Sequence, residues 1–389
     1  MTQPATATRR HAAARIDLAA IRGNVEALRA CTSAELMAVV KADGYGHGLL
    51  PSARAALDGG ATWLGTALVD EALALRAAGI TAPRLLSWLI GPGERWAEAL
   101  EADVDVSVNA GWALEEVVAA ARRTGRTARV HLKVDTGLSR GGAAVADWPG
   151  LVEAAHRAER DGAVTVVGVW SHFAYADAPG HETIRRQAAE FDRAVAAAER
   201  AGLRPQVRHL ANSAATLTAP EHHYDLVRPG IAVYGLSPVP QVGDPGAFGL
   251  RPAMTVTAGL VLTKRLPASS GVSYGHAYTT ERETTVGLVP LGYADGVPRN
   301  AGNAAPVLAA GHRRVIAGRV CMDQFVLDLG DDPADPGDEV VLFGPGDDGE
   351  PTAQEWAEAL DTISYEIVTR VGPRVPRVYT GAGPSGRVP

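Results

Sequence analysis

The amino-acid sequence predicts an α/β protein with an N-terminal (β/α)8 barrel of the TIM type and a C-terminal mainly-β domain. Its 389 residues exceed what one ordinary domain of about 150 residues holds. From about residue 35 to 234, eight short apolar or β-branched runs alternate with alanine-rich amphipathic stretches. After about Pro238 the helix signals fade, and strand-like runs follow one another between turns rich in Gly, Pro and Asp. We therefore expect a barrel over residues 12–240 and a mainly-β domain over residues 241–384, with which residues 1–11 could associate.

Eight runs rich in β-branched and apolar residues predict the strands of the barrel, since each has the length of a strand. An open doubly wound sheet is the competing architecture, but no Gly-x-Gly-x-x-Gly turn opens the first unit. The runs are Leu36–Lys41, Thr62–Thr66, Arg84–Ile90, Val104–Val108, Ala128–Val134, Val164–His172, Gln206–Asn212 and Tyr224–Tyr234.

Helix-like segments lie between these runs, and most close on a glycine at the position where helices commonly end. The segments include Val69–Ala78, Arg95–Ala102, Ala113–Arg123, Leu151–Arg160 and Thr183–Ala201. The closing glycines are Gly59, Gly79, Gly125, Gly162 and Gly202.

The mainly-β domain is predicted from strand-like runs separated by turn residues, with one helix-like stretch at Ala353–Arg370. The runs are Met254–Leu266, Thr284–Leu291, Pro306–Leu308, Arg314–Leu329 and Glu339–Phe343.

The composition excludes several classes of protein. A chain that is 46% hydrophobic and 21% charged is neither disordered nor fibrous. Lys+Arg number 37 against 44 Asp+Glu, and the net charge of −7 does not suit binding to nucleic acid. No run of about 18 apolar residues predicts a membrane span, and no apolar leader is visible, so we expect a cytoplasmic protein. Neither cysteine, Cys31 or Cys321, stands in a metal-type spacing, and no metal site is predicted.

Lysine is rare in this chain. Only Lys41, Lys133 and Lys264 occur among the 37 basic residues, and the other 34 are arginines. Arginine stays protonated in proteins, whereas lysine can become a free amine that acts as a nucleophile or a base. A lysine at the tip of a buried strand is partly desolvated, which lowers its pKa. Lys41 ends the first predicted strand and is therefore a candidate for such chemistry, while Lys264 is attributed to chance.

Polar or ionisable side chains end five of the predicted strands, and in a barrel these ends converge on the face that carries the active site. Singly, His172 and Asn212 could also be core polar residues. Asn212-Ser213 opens a predicted helix, and Gly230 and Ile231 offer backbone N–H groups, which together predict a phosphate site after strands seven and eight. A phosphate site facing a lysine that can form an imine suggests pyridoxal 5′-phosphate. The strand-end segments are Lys41–Gly48, Lys133–Arg140, Ser171–Phe173, Asn212–Ala215 and Arg228–Ile231.

These segments resemble the alanine racemase family, which comprises fold-type III pyridoxal enzymes, from about residue 12 to the C-terminus. Lys-Ala-x-x-Tyr-Gly-His-Gly at residues 41–48 is similar to the cofactor-lysine motif of the family, which commonly has Asn-Ala where this chain has Asp43-Gly44. Further matching segments begin at His131 (His-x-Lys-x-Asp-Thr-Gly), Ser171 (Ser-His-Phe), Asn212 (Asn-Ser-Ala), Val227 (Val-Arg-x-Gly-Ile), Val272 (Val-Ser-Tyr-Gly), Gly292 (Gly-Tyr-Ala-Asp-Gly) and Gly318 (Gly-Arg-Val-Cys-Met-Asp-Gln).

The resemblance implies how the cofactor is held. Lys41 would bind pyridoxal 5′-phosphate covalently and serve as one of two bases. Arg228 would face the pyridine nitrogen and, because arginine stays protonated, would keep that nitrogen unprotonated; a weaker electron sink favours proton exchange over decarboxylation. Arg140 would reach the cofactor O3′ and the substrate carboxylate, with Lys133 behind it, a lysine that is carbamylated in many members of the family. The residues implied to hold the phosphate are Tyr45, Ser213, Gly230, Ile231 and Tyr365, with Asn212 nearby.

The resemblance also implies a second base, because one base returns a proton only to the face it came from. Tyr274 would be that base, and His172, bonded to Arg228, would lower its pKa from about 10. Taken alone, Tyr274 could also be a packed strand aromatic. Tyr274 and Met322 would reach the barrel of a partner subunit, so the implied active unit is a head-to-tail homodimer.

The implied activity is alanine racemisation, with D-alanine supplied for peptidoglycan. Alternatives are a broad-spectrum or serine racemase, an amino-acid decarboxylase of the same fold, and a carrier protein that binds pyridoxal 5′-phosphate. The decarboxylases favour an acidic partner at the pyridine nitrogen, where this chain has Arg228. The carriers resemble the barrel alone, so the second domain with Tyr274 argues against them.

Overall fold

The computed structural model describes residues 11–381. The chain forms two compact units, one made of residues 21–250 and the other of the described residues on either side. Strand β1 (Ala12–Asp17) belongs to the second unit, and helix α1 (Leu18–Ala30) leads into the first. The expectations for residues 1–10 and 382–384 lie outside the described residues.

The unit of residues 21–250 is built on a parallel sheet of eight strands, which confirms the predicted barrel. The strands are β2 (Glu35–Val39), β3 (Trp63–Thr66), β4 (Arg84–Ser87), β5 (Asp105–Val108), β6 (Ala128–Lys133), β7 (Val164–Trp170), β8 (Val207–His209) and β9 (Leu226–Val227). Their order is β8-β7-β6-β5-β4-β3-β2-β9, and every neighbouring pair is parallel. Backbone hydrogen bonds connect the segments of β8 and β9: Asp225 N donates to Arg208 O (3.0 Å), and Arg228 N donates to Ala211 O (2.9 Å). The carboxyl ends of all eight strands therefore lie at one face.

Helices follow the strands in the pattern that the sequence predicts. They are α3 (Leu49–Asp58), α4 (Val69–Ala77), α5 (Trp96–Glu101), α6 (Gly111–Thr124), α7 (Trp148–Arg160), α8 (Glu182–Arg200) and α9 (Ser213–Thr218), and a short segment of left-handed backbone, α2 (Lys41–Tyr45), precedes α3. Gly125 closes α6 in the left-handed conformation (φ 67°), as expected for a glycine at a helix C-terminus. The predicted run Tyr224–Tyr234 is only partly strand, because after β9 the chain turns at Pro229-Gly230 into a 3-10 segment, Ile231–Tyr234.

A cluster of large apolar side chains fills part of the barrel, and Trp88 packs against it. Burial of such side chains stabilises the fold by about 1.5–3 kcal/mol each. The cluster consists of Met37, Trp63, Leu86, Val167, Val207 and Leu226.

The second unit is mainly β, as predicted. Its strands are β10 (Met254–Gly259), β11 (Leu262–Leu266), β12 (Gly271–Val272), β13 (Tyr278–Thr279), β14 (Thr284–Val289), β15 (Pro306–Ala309), β16 (His312–Ala317), β17 (Phe325–Gly330), β18 (Glu339–Phe343) and β19 (Arg377–Thr380). Nine strands form one sheet in the order β11-β14-β17-β16-β15-β18-β10-β1-β19, and β12 pairs with β13.

The first strand of the chain departs from the expected domain boundaries. Residues 12–20 were assigned to the barrel and the boundary was placed after residue 240, whereas the barrel unit spans residues 21–250. The physical reason is pairing, because β1 joins β10 antiparallel and β19 in parallel.

Several predicted elements of this unit are divided in the structure. The run Met254–Leu266 forms β10 and β11, and the run Arg314–Leu329 lies in β16 and β17. The stretch Ala353–Arg370 forms two helices, α10 (Ala353–Ala359) and α11 (Ser364–Thr369), because Asp361 adopts a left-handed conformation (φ 53°) between them. In residues 11–381, no helix has the length and apolar character needed to cross a membrane.

Candidate active site

Lys41 follows β2 after a single residue, Val40, and begins a turn in which four successive residues are left-handed. Ala42, Asp43, Gly44 and Tyr45 have φ values of 54°, 53°, 60° and 52°. This conformation costs L-residues about 1–2 kcal/mol each, so the contacts around the turn must stabilise it. Gly44 N donates to Val40 O (2.8 Å), and the Asp43 carboxylate accepts from the backbone N–H of residue 49 (2.7 Å). Lys41 was predicted to end the strand, and instead it opens this turn.

Glu71 holds the same turn from the start of α4, a role that the sequence analysis missed. Its carboxylate accepts from Ala42 N (2.6 Å) with one oxygen and from Ala67 N (2.9 Å) and Leu68 N (3.1 Å) with the other. Burial and the positive charge of Arg140 lower the pKa of Lys41, while the charge of Glu71 opposes the shift. The Lys41 amine is therefore easier to deprotonate than an exposed lysine.

The residues predicted to bind phosphate after β8 and β9 come together with Tyr45. The Ser213 hydroxyl accepts from Gly230 N (2.8 Å) and from Ala232 N (3.3 Å). A Cβ on Gly230 would lie 2.2 Å from the Tyr45 hydroxyl oxygen, so a larger residue there would displace the Tyr45 side chain from its present position. Asn212 caps α9, as its side chain accepts from Ala215 N (3.1 Å).

Arg228 lies in the interior of the barrel unit with only 5% of its surface exposed. Its guanidinium donates through Nη1 to His209 Nδ1 (3.1 Å) and through Nη2 to the carbonyls of Ser171 (2.8 Å) and Leu210 (3.2 Å). Nη2 also lies 3.3 Å from His172 Nδ1, as the resemblance implied. Burial lowers the pKa of Arg228 to about 9, which leaves the guanidinium protonated at neutral pH.

His172 is neutral at physiological pH, because burial and the charge of Arg228 hold its pKa well below 6.5. A neutral imidazole that accepts through Nδ1 carries its proton on Nε2. His172 can therefore present one N–H donor to a neighbouring group.

Lys133 and Arg140 flank the turn that follows β6. Lys133 Nζ lies 4.3 Å from the centre of the Trp170 ring. Burial, together with the charges of Arg228 and Arg140, lowers the pKa of Lys133 to about 8. Arg140 is exposed, and Asp135 shapes the turn before it by accepting from the backbone N–H groups of residues 137 (2.9 Å), 138 (3.0 Å) and 139 (3.1 Å).

Three predicted residues, Tyr274, Met322 and Tyr365, lie in the β-rich unit. Tyr274 is 69% exposed, so it is not a packed strand aromatic, and Met322 is 53% exposed. Tyr274 follows Ser273, whose left-handed backbone (φ 62°) is held by a hydrogen bond from its hydroxyl to Arg319 O (2.6 Å). Tyr365 lies on α11. The roles assigned to these three residues stay predictions.

The donor set of the barrel fits pyridoxal 5′-phosphate. Four cationic side chains, Lys41, Lys133, Arg140 and Arg228, influence one another electrostatically and suit an anionic ligand. One of them is an amine with a lowered pKa, and the Ser213–Gly230 contact supplies small polar groups of the kind that surround a phosphate. No group of metal-ligating side chains occurs within residues 11–381.

Comparisons with known proteins agree over nearly all of the chain. A family model described as alanine racemase, N-terminal domain, matches residues 16–238, and one described as alanine racemase, C-terminal domain, matches residues 253–379. A relative from Frankia casuarinae named alanine racemase is 67% identical over 365 residues, which are 94% of this chain and 95% of the relative. A relative of the same name from Salinispora arenicola is 63% identical over 95% of this chain and 98% of its own.

The structure is also similar to a solved structure of an alanine racemase. The crystal structure of alanine racemase from a D-cycloserine-producing Streptomyces lavendulae has a TM-score of 0.95 and 59% identity, covering 96% of this chain and 98% of that one.

Proposed function

The chain belongs to the alanine racemase family, and from that premise we propose that it interconverts L-alanine and D-alanine with pyridoxal 5′-phosphate bound at the barrel mouth. The observation that carries the proposal is the convergence of Lys41, Arg228 and the Tyr45–Ser213–Gly230 contacts on one face of the barrel. By family, its role would be to supply D-alanine for peptidoglycan in the cytoplasm.

Different residues of the barrel would hold different parts of the cofactor. Bound pyridoxal 5′-phosphate withdraws electrons from the α-carbon of an amino acid and so acidifies its α-hydrogen. Lys41 Nζ would bind the cofactor and, once displaced, hold or release a proton on one face of that carbon. The Arg228 guanidinium would donate to the pyridine nitrogen. The phosphate would be held by Tyr45, Ser213, Gly230, Ile231 and Tyr365, with Asn212 supporting Ser213 at the start of α9.

The remaining residues would position the substrate and serve its other face. The exposed guanidinium of Arg140 would bind the substrate carboxylate. Tyr274 of a second copy would hold or release a proton through its hydroxyl, and His172 Nε2–H would donate to that oxygen. Met322 would border the same site. The active unit we propose is therefore a head-to-tail homodimer.

A direct assay tests the function. The full chain, incubated with pyridoxal 5′-phosphate and L-alanine, should produce D-alanine until the two enantiomers are equal, as measured by chiral chromatography. Parallel incubations with L-serine test the broad-spectrum alternative, and release of carbon dioxide tests a decarboxylase. Binding of the cofactor without turnover of any amino acid would favour a carrier protein.

Lys133 is the residue at which we propose carbamylation. The free amine would attack carbon dioxide and lose a proton to solvent, which turns a cation beside Arg140 into an anion that can orient it. With a pKa of about 8, roughly one Lys133 in ten is a free amine at pH 7, far more than for an exposed lysine. We expect removal of dissolved carbon dioxide to lower activity several-fold and bicarbonate to restore it.

The Lys133→Ala variant is the control for this prediction. It should keep the colour of the bound cofactor, have lower activity at all carbon dioxide concentrations and show no response to bicarbonate. A bicarbonate response of equal size in Lys133→Ala would contradict the carbamylation of Lys133.

A complementation experiment tests the shared site. Lys41→Ala and Tyr274→Phe proteins should each be inactive, but a mixed dimer contains one site with Lys41 from one chain and Tyr274 from the other. Random reassembly should restore about a quarter of wild-type activity, since half of the dimers are mixed and each has one intact site of two. If mixed dimers form and no activity returns, both bases belong to one chain.

A further inference from the structure

Three ionisable side chains that the proposed function does not use form a chain of hydrogen bonds inside the barrel. Asp105 begins β5, His131 lies on β6 and His209 ends β8, and each is fully buried. Asp105 Oδ2 lies 3.2 Å from His131 Nε2, and His131 Nδ1 lies 2.9 Å from His209 Nε2. His209 Nδ1 in turn lies 3.1 Å from Arg228 Nη1. This series of hydrogen bonds therefore joins a buried carboxylate to the guanidinium proposed to face the pyridine nitrogen.

The carboxylate end of this chain is ionised and fixed in place. Burial alone would raise the pKa of Asp105, but the hydrogen bond from His131 and the charges of Arg84 and Arg129 lower it overall. Arg84 Nη2 donates to Asp105 (2.6 Å), and Arg129 Nε donates to the other carboxylate oxygen. Asp105 is thus an acceptor only, with its orientation set by two arginines.

The ionised Asp105 carboxylate determines the tautomers of both histidines. Burial lowers the pKa of His131 and holds that of His209 well below 6.5, so both rings are neutral at physiological pH. His131 must carry its proton on Nε2 to donate to Asp105, which leaves Nδ1 as an acceptor. His209 must then donate through Nε2, and its Nδ1 accepts from Arg228. In each of these three hydrogen bonds the donor lies on the Arg228 side and the acceptor on the Asp105 side.

The packing around the rings keeps them in these positions. A Cβ on Gly168 would lie 2.3 Å from His131 Nδ1, so β7 has a glycine where the His131 ring needs room. The Trp170 ring stacks on His209, with centroids 5.5 Å apart and planes 6° from parallel, and the Arg228 guanidinium lies 4.9 Å from the same indole. The stacked indole therefore restricts rotation of the His209 ring, and the His131 ring occupies the space that a side chain at residue 168 would fill.

We propose that Asp105 is a remote positioning residue, which acts through the tautomers of His131 and His209 to fix the orientation of Arg228 at the pyridine nitrogen. If the tautomer of His209 were reversed, an N–H of the ring would face an N–H of Arg228 at 3.1 Å, and the guanidinium would have to turn away. This inference rests on the proposed function, since Arg228 matters here through its contact with the cofactor.

Asp105→Asn tests the proposal, because it keeps the shape of the side chain and changes its hydrogen bonding. With the amide oxygen at the Oδ1 position it still accepts from Arg129, and the amide NH2 at the Oδ2 position then faces both Arg84 Nη2 and His131 Nε2. Arg84 would keep its hydrogen bond to Gln206 and turn away from the amide, and His131 Nε2 would have to become an acceptor. Both histidines should shift to the Nδ1–H tautomer. We expect kcat for alanine to fall about 10- to 100-fold while KM changes less than about threefold, and the absorption maximum of the bound cofactor to shift.

Asp103→Asn is the matched control. Asp103 also pairs with Arg129 but is exposed and has no hydrogen bond to His131, and asparagine tolerates its left-handed backbone (φ 59°). It should keep wild-type kcat and the wild-type spectrum. A second background, His209→Asn, keeps an acceptor near Arg228 and removes the link to His131, so adding Asp105→Asn there should change kcat little further.

Side-chain 15N NMR of the full chain, with and without pyridoxal 5′-phosphate, reads the tautomers independently of turnover. Wild-type protein should show Nε2–H at both His131 and His209, and either ring found as Nδ1–H or doubly protonated at neutral pH would overturn the inference even if Asp105→Asn does not fold. Reversed tautomers in Asp105→Asn with kcat equal to that of Asp103→Asn would overturn it too. Absence of cofactor binding or racemisation in the wild type would instead refute the proposed function, while the wild-type tautomers could still be measured.

Discussion

Lys41→Ala should lower the rate of alanine racemisation by about 10⁴-fold or more, because it removes the only group proposed both to bind the cofactor covalently and to move a proton on one face. The visible absorbance of the bound cofactor should change, since no covalent bond to the protein can form. The fold should be retained, because Lys41 lies at the barrel mouth outside the apolar cluster. Activity, absorbance and thermal unfolding are measured on the same preparation.

Two control variants make this result specific to the Lys41 amine. Lys41→Arg keeps a positive charge but cannot become a free amine, so it should be as inactive as Lys41→Ala. Lys264→Ala removes the lysine of β11 and should have wild-type activity. Wild-type racemisation by Lys41→Ala would refute the assignment of the barrel site.

Tyr274→Phe should have the second-largest effect, and the effect should depend on the enantiomer. By resemblance, Tyr274 takes the α-proton of L-alanine and Lys41 that of D-alanine. Loss of the hydroxyl should lower exchange of the α-proton of L-alanine with deuterated solvent by about 10²- to 10⁴-fold. Exchange on D-alanine should persist, while racemisation falls in both directions because the equilibrium constant ties them together.

The exposure of Tyr274 makes this variant easy to interpret. With 69% of its surface exposed, its hydroxyl contributes little to packing, so the stability of the protein should not change. Tyr278→Phe removes a hydroxyl in the same unit that donates to Asp328 (2.6 Å), and it should affect stability more than exchange. Equal loss of exchange for both enantiomers would contradict a two-base assignment, and retained racemisation would exclude Tyr274 from the mechanism.

The barrel could be predicted because its signals are local. Each strand is a short apolar run, each helix is amphipathic, and their alternation is visible without knowledge of contacts. The strand ends also predicted that Ser213, Gly230 and Arg228 would lie at one face, because parallel strands end together.

The parts that could not be predicted depend on distant contacts. The left-handed turn from Ala42 to Tyr45 is favoured locally only at its glycine, and Glu71, which holds it, lies 29 residues beyond Ala42. Asp105 stands between two valines and gave one signal, a charge in a buried strand, but its partner His131 is 26 residues away. β1 was assigned to the wrong unit for the same reason, since it pairs with strands formed more than 230 residues later.

The pairing of β1 has a consequence for how the protein is made. During translation the first strand leaves the ribosome before the barrel, yet both of its neighbours, β10 and β19, are synthesised after the barrel is complete. The barrel can fold as a unit before β1 has all its partners. The β-rich unit, which carries Tyr274, can complete its sheet only after Arg377–Thr380 has emerged from the ribosome. A ribosome stalled shortly before the end of the message would therefore display a folded barrel whose first strand can pair with β10 but still lacks β19, which leaves an open sheet edge that chaperones and neighbouring nascent chains can reach.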